Sequence, residues 1–327
     1  MTKHALQLVT KESVFPIMGN TAQVIVVAET ASLGESLIAT AQVRLALLES
    51  MWSRFIASSE VSQLNSSHAK WRPISDDTAS LLRHLVEAYR VTDGLFNPFL
   101  LPALIQVGYS RSMSDTIQEA VNLAQGSTWT ATATDVEMRQ GNSMWEARLM
   151  NGATIDPGGL GKGLAADIVA EELFALGATG VLVNVGGDLR CIGSPGDSTA
   201  WPIAIEAINP ASPAVATVLI PQGGVATSTT FAKRWRKDGV TCHHVLNPAT
   251  GGPLTSASSA SLRASSVIAS SAVWAEVFAT ALLVGGATRG MELIEKNGLS
   301  ARGEYVDGSH VTSTLWFSFD TTETDQS

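Results

Sequence analysis

Apolar and polar residues alternate in recognisable periods along most of the chain. Residues 21–28 form a nearly continuous apolar run after the turn residues Met18-Gly19-Asn20, which predicts a buried strand. Residues 34–51 place Leu37, Ala41, Leu45 and Leu48 on one face and predict a helix. Ser58–Asn65 reads as a polar loop with a short helical turn. Ser75-Asp76-Asp77 offers an N-cap to a helix carrying Leu81, Leu82, Leu85, Val86 and Tyr89, which stops at Asp93-Gly94. The next segment, Leu95–Phe99, is apolar and irregular. Residues 110–142 are polar and rich in Thr and Ala, with a weak helical pattern near 115–125 and a strand after it. Asn151-Gly152 predicts a hairpin joining Trp145–Leu149 to Ala153–Ile155.

The second half opens on Asp156-Pro157-Gly158-Gly159-Leu160-Gly161-Lys162-Gly163, a glycine-rich turn leading into a helix. Leu164, Ile168, Val169 and Leu173 supply its helical spacing, and Gly177 stands where a C-cap belongs. Gly180–Val185 reads as a buried strand ending in the turn before Asp188. Residues 201–208 alternate as a strand, and Val215–Ile220 is expected to pair with Gly224–Thr227 across Pro221-Gln222-Gly223. Cys242–Gly251 is a strand leaving into a turn, and Leu262, Val267 and Ile268 mark a strand within residues 255–271. Ala272–Val284 is an apolar helix, Met291–Lys296 a second one, and Val311–Phe319 a last strand. There is no repeat, and no linker divides the chain.

A length of 327 residues with 45% hydrophobic and 16% charged residues is enough for a sizeable core. The net charge of −9 argues against a nucleic-acid partner, which calls for a basic face. Two cysteines, Cys191 and Cys242, make no disulfide framework and read as small buried hydrophobes. Met1-Thr2-Lys3-His4 leads into no apolar signal segment, and no apolar run approaches the ~18 residues of a membrane span. The expectation is a cytoplasmic protein.

Four features carry candidate chemistry. The glycine-rich turn exposes backbone N–H groups at a helix N-terminus, which suits a phosphate. It is not a P-loop, because Asp156 and Gly163 stand where Gly and Ser/Thr are required. Gly161–Ala166 fits the loose dinucleotide pattern, but the hairpin signal before it does not begin a parallel βαβ unit. Glu276 is the only charge in its helix, with Thr280 one turn on. The pair is either a structural carboxylate beside a backbone-bonded hydroxyl or a hard-oxygen set suited to Mg²⁺. His243 and His244 cannot both face one metal from a strand, since adjacent side chains point to opposite faces.

Several segments, in order, resemble the ApbE family of flavin transferases (FAD:protein FMN transferases). They are Met18-Gly19-Asn20-Thr21, Ser53-Arg54-Phe55 with Ser59–Asn65, Asp93–Pro98, Asp156–Gly163, Val183–Asp188, Ala226-Thr227-Ser228, His244–Gly251 and Ala275–Leu282. The resemblance covers roughly residues 15–285. It implies one α+β domain over the chain, with a mixed or antiparallel sheet and packed helices, that binds FAD and Mg²⁺. Such enzymes cleave FAD and attach FMN through a phosphoester to a Thr of an acceptor protein, releasing AMP. The family's FAD contacts carry over to Met18, Phe55, Leu95, Phe96, Asn97, Asp156, Lys162 and Val245. Its Mg²⁺ ligands carry over to the Gly159 carbonyl, Glu276 and Thr280. His244 corresponds to a family histidine near the reacting phosphate and is assigned as the base, with Asp156 next in line. An apolar wall of Met18, Phe55 and Phe96 is expected to hold a ring by stacking. The chain departs from the family in having Glu276 for the usual Asp, Thr229 for a Gly, Asn97 for an Asp, and Asn20 within the Met-Gly-Thr signature. Many relatives are exported lipoproteins, and the lack of a signal here implies a cytosolic acceptor. Two further readings stay open: a Mg²⁺-dependent FAD pyrophosphatase and a flavin-binding protein without turnover.

Overall fold

The computed structural model describes residues 7–67, 69–111, 121, 123–208, 212–254 and 261–316. In chain order its strands and helices are β1 (Val9–Ile17), β2 (Asn20–Ala28), α1 (Ala31–Trp52), α2 (Glu60–Asn65), β3 (Arg72–Ile74), α3 (Asp76–Val91) and α4 (Leu101–Gln106). Then follow β4 (Val136–Gln140), β5 (Trp145–Leu149), α5 (Gly161–Ala175), β6 (Gly180–Val185), β7 (Asp188–Gly193), β8 (Trp201–Ile205), β9 (Ala216–Ile220) and β10 (Gly223–Thr229). The chain continues with β11 (Arg234–Lys237), β12 (Val240–His243), β13 (Ala264–Ala269), α6 (Ala272–Gly285), α7 (Met291–Lys296), β14 (Ser300–Glu304) and β15 (His310–Thr312).

Eight strands form one sheet in the order β1-β2-β6-β7-β10-β13-β14-β15, and every neighbouring pair is antiparallel. The period of two decides what each face buries. Val24 and Val26 of β2, with Val181, Val183 and Val185 of β6, meet α1 and α5. Val27 and Leu182, pointing the other way, meet Trp201, Ile203, Val218 and Ile220 of the β8–β9 ribbon. Helix α6 lies on the helical face against β10 and β13. The fold is thus α+β, and the antiparallel sheet excludes a Rossmann unit.

The contact between α5 and α6 positions the site. A Cβ at Gly163 would stand 2.5 Å from the Ala272 carbonyl oxygen and 2.9 Å from Val273 Cα, so the crossing requires a glycine. One turn further along α5, Asp167 accepts hydrogen bonds from the Ala272 and Val273 amides, both at 2.8 Å, and so caps α6 from another helix. Arg190 of β7 lies 3.3 Å from the same carboxylate. Burial raises the Asp167 carboxyl to about 6 against these stabilising contacts.

Three expectations need correction. Asn151 and Gly152 do adopt the left-handed turn (φ 53° and 75°), but Ala153–Ile155 forms no strand. The Asn65 side chain takes both backbone groups of Ile155, at 2.8 and 2.9 Å, and the Asp156 amide goes to the Pro98 carbonyl at 2.8 Å. Those groups are therefore not available to a ladder. β5 pairs with β3 and β4 instead. Likewise, β9 does not pair with β10: it pairs with β8, while β10 enters the large sheet between β7 and β13. The reason lies at Gly223 (φ 149°) and Gly224, where a Cβ on Gly224 would stand 2.2 Å from the Ala272 amide nitrogen; the bare backbone lets β10 pass under α6. Among the described residues the last strand ends at Thr312, because Ser313 turns the chain and its hydroxyl accepts the Ala301 amide at 2.8 Å; residues 317–319 of the expected strand lie outside them. Of the helix anticipated near 115–125, residues 115–120 and 122 lie outside the described residues, and residues 121 and 123–125 are not helical.

By length and composition the 25-residue helical stretch Ala272–Lys296 could cross a bilayer, but half of its apolar window is buried in the protein. It is a core helix, with Phe278, Leu282 and Ile294 packed against Val267 and Ala301.

Candidate functional site

The connections at one end of the large sheet enclose a cavity of ≈ 290 Å³. Each site residue anticipated from the sequence lines it: Met18, Phe55, Leu95, Phe96, Asn97, Asp156, Gly159, Lys162, His244, Val245, Glu276 and Thr280. They come from loops and helix ends spread over most of the chain, so the fold, not proximity in sequence, assembles them.

Lys162, in the first turn of α5, lies at the polar centre. Its ammonium donates to Asp188 and, at 2.8 Å, to Glu276 Oε1. The other Glu276 oxygen accepts the Gly163 amide at 2.8 Å. Glu276 and Asp188 are 3% and 2% exposed, so these partners are what makes their burial tolerable. The sequence leaves Glu276 without a partner within one helical turn; the structure provides one from 114 positions away. Two carboxylates share one ammonium, and the group retains one net negative charge.

The remaining oxygen ligands lie alongside. Thr280 is bonded to Ser228 at 3.0 Å, and a Cβ built on Gly159 would come within 3.8 Å of the Thr280 hydroxyl. The Gly159 backbone, the Thr280 hydroxyl and the Glu276 carboxylate therefore border the same wall of the cavity. This is an all-oxygen set beside uncompensated negative charge, which fits Mg²⁺. No three His, Cys, Asp or Glu cluster as a metal site among the described residues, so such an ion would rest on the hydroxyl and the backbone as well.

Asp156 is held from two sides. One oxygen accepts the Gly158 amide at 2.9 Å, and the other faces Arg54 Nε at 3.3 Å. The Arg54 guanidinium is 5% exposed, stacked on Phe55 (4.2 Å) and Tyr109 (4.6 Å), and gives one proton to the Tyr109 carbonyl. Its Nη2 is buried with no hydrogen-bond partner.

Met18, Phe55 and Phe96, the expected ring wall, all line the cavity. Phe55 does face the cavity, in contact with Tyr109, which itself stacks on Trp235 at 5.2 Å. Phe96 is 3% exposed and lies behind Gly159, so it supports the glycine turn more than it offers a face. Asn97 closes a local turn, its side-chain oxygen accepting the Phe99 amide at 2.8 Å.

His244 follows β12, and its Nδ1 is buried without a partner. Burial, with the nearby charges of Lys233, His243 and Lys162, pushes its imidazole down to about 3, so the ring is neutral. His243 turns the other way and bonds the Leu254 carbonyl at 3.1 Å, as strand alternation requires.

Sequence reasoning passed over Tyr109 and Lys233 entirely and assigned no role to Arg54, Asp188 or Ser228, although the last three stand inside matched segments. Asp188 was legible as the acid ending a Gly-Gly turn. Lys233 carried no signal, because it stands in a short loop between two strands with no period of its own.

Comparison with known proteins identifies the family. The chain matches the ApbE family over residues 18–302. It is 31% identical over 144 residues to a FAD:protein FMN transferase of Vibrio cholerae, covering 44% of this chain and 42% of that one. A FAD:protein FMN transferase of Haemophilus influenzae is 26% identical over 253 residues, covering 76% and 72%. The alignment with the Vibrio protein thus spans less than half of that relative's length. Among solved structures, the ApbE protein of Thermotoga maritima shares the fold at TM-score 0.80 and 21% identity, over 95% of this chain and 99% of that one. The apo flavinyl transferase ApbE of Pseudomonas stutzeri does so at TM-score 0.75 and 26% identity, over 95% and 97%. With most of its length matched in sequence and in fold, the chain belongs to the ApbE family.

Proposed function

We propose that the chain is a Mg²⁺-dependent FAD:protein FMN transferase, which cleaves FAD and attaches FMN to a Thr hydroxyl of an acceptor protein. The observation that carries this reading is the convergence, in one cavity, of the residues matching the family's FAD and metal positions. The relatives' names supply the reaction.

The chemistry follows from the residues. The N-terminus of α5, where Lys162 stands, is where a pyrophosphate would sit, with the Gly161 and Gly163 amides already bonded to the Pro157 carbonyl and Glu276. Glu276, Thr280 and the Gly159 carbonyl would hold Mg²⁺, which supplies neutralisation of phosphate charge and polarisation of phosphorus. Phe55 and Tyr109 give an aromatic wall for a ring. His244 is neutral and takes the proton of the attacking hydroxyl as its oxygen bonds to the FMN phosphorus. The electron pair of the cleaved P–O bond departs with AMP.

An imidazole held at about 3 is a weak base; burial is the largest cause, and the cations Lys233 and Lys162 add to it. A bound pyrophosphate offsets both charges and strengthens the base when substrate is present. Asp156 is less suited to that task, since both its oxygens are engaged.

The test is incubation with FAD and Mg²⁺, with and without candidate acceptor proteins, scored for AMP and for covalent flavin fluorescence. AMP together with labelled acceptor is expected. AMP without labelling under any acceptor would make the protein a pyrophosphatase, and FAD binding without AMP would make it a flavin-binding protein.

A further inference from the structure

The cavity holds three cations and their distribution is uneven. Lys162 is spent on Asp188 and Glu276, and Arg54 directs Nε to Asp156. Lys233 also lines the cavity, yet it has no ion-pair or hydrogen-bond partner among the described residues. It interacts through space with Lys162 and Arg54, which repel it, and with Asp156 and Glu276, which attract it. Arg54 also lines the cavity, with its Nη2 buried and unpartnered. Lys233 is half-buried, so its ammonium is only partly hydrated, and an anion in the cavity would pair with it.

The backbone supports the same reading. Lys233 has φ 47°, in the left-handed region that favours glycine. Strain of this kind persists where surrounding structure holds it, and is a reason to look for a function. Burial together with the neighbouring cations lowers the Lys233 ammonium to about 8, which still leaves it mostly charged at neutral pH.

We propose that Lys233 forms a second anion subsite that takes one phosphate of a pyrophosphate ligand, while the N-terminus of α5 serves the other. The inference rests on the FAD-binding reading above and adds to it a residue that the family motifs do not mark. It also divides the work electrostatically. The Lys162–Asp188–Glu276 group has an excess negative charge suited to a metal cation, and Lys233 provides the excess positive charge suited to the phosphate beyond it.

The experiment is calorimetric titration of wild type, Lys233→Met and Lys233→Arg with FAD, ADP and riboflavin, without acceptor, at low and high salt. Methionine keeps the length and removes the charge. A charge-assisted contact predicts that Lys233→Met binds FAD and ADP about 10- to 100-fold more weakly, with riboflavin unchanged. The salt dependence of FAD affinity should flatten in that variant, and Lys233→Arg should restore most of the affinity. Equal affinity of Lys233→Met and wild type for FAD would overturn the inference while leaving FAD binding intact. Equal weakening of FAD and riboflavin would overturn it too, by making Lys233 a support for the cavity wall. Wild-type protein that binds FAD no better than riboflavin would remove the underlying functional reading itself.

Discussion

Lys162→Met is the most informative single perturbation of the site. It removes the ammonium shared by the Asp188 and Glu276 carboxylates, whose side chains are 3% and 4% exposed. Glu276 keeps the Gly163 amide, so one carboxylate is only partly orphaned. Breaking a buried pair by removing one partner costs about 3–5 kcal/mol, because the charge left behind has lost both water and its counter-ion. Over 327 residues, an unfolding entropy of about 2.1 cal/mol/K per residue converts this to a fall in Tm of about 4–7 °C. The assay is urea and thermal unfolding of wild type and variant at neutral and mildly acidic pH, with and without Mg²⁺. The sign with pH is set by linkage. An orphaned carboxylate takes up a proton more readily in the folded variant than in the unfolded chain. The folded variant then binds more protons as pH falls, and its deficit relative to wild type shrinks. Mg²⁺ should also recover part of the loss, since a cation can replace the missing ammonium. A deficit below about 1 kcal/mol, unmoved by acid, would refute the reasoning and mean that the carboxylates find other relief.

Other consequences can be measured separately. His244→Ala should slow FMN transfer by about 10²–10⁴-fold while FAD still binds; an unchanged rate would move the base elsewhere. Glu276→Gln should abolish Mg²⁺-dependent AMP release and Glu276→Asp should retain it, as read from AMP release against Mg²⁺ concentration; a wild-type midpoint in Glu276→Gln would make Glu276 structural. His244 is held at about 3 against an ordinary 6.5, so its neutral form contributes stability above pH 6.5 that is lost as pH falls towards 3. Asp167, raised from 3.8 to about 6, works in the opposite direction between those values, so His244→Asn should leave a protein whose stability declines less steeply with acid.

Elements with a strong local period were readable in the sequence. The helix of Leu37, Ala41, Leu45 and Leu48 and the strand after Asn20 needed only their own residues. β1 was missed because it is an edge strand whose alternate positions stay exposed, so Lys11, Glu12 and Ser13 hide its period. β7 was missed for the opposite reason: Asp188 and Arg190 look like surface residues but are buried with partners from α5 and from the chain just before α6. Pairings depended on distant residues and were least readable. The backbone of Ile155 goes to Asn65, ninety positions earlier, a choice no local hairpin signal could anticipate. The site followed the same rule. Its residue types were marked by matched segments, but the Lys162–Glu276 contact and the unpaired Lys233 exist only once β10, β12, α5 and α6 are packed.

The cap that Asp167 places on α6 has a consequence for the timing of motion in this protein. The amides of Ala272 and Val273 would ordinarily fray with the first turn of a helix, yet here a side chain of α5 seals them. Exchange of those two hydrogens with deuterium therefore requires α5 and α6 to part, not merely the end of α6 to loosen. Since α5 carries Lys162 and α6 carries Glu276, the exchange rate at two silent backbone positions becomes a clock for how often the two halves of the site come apart.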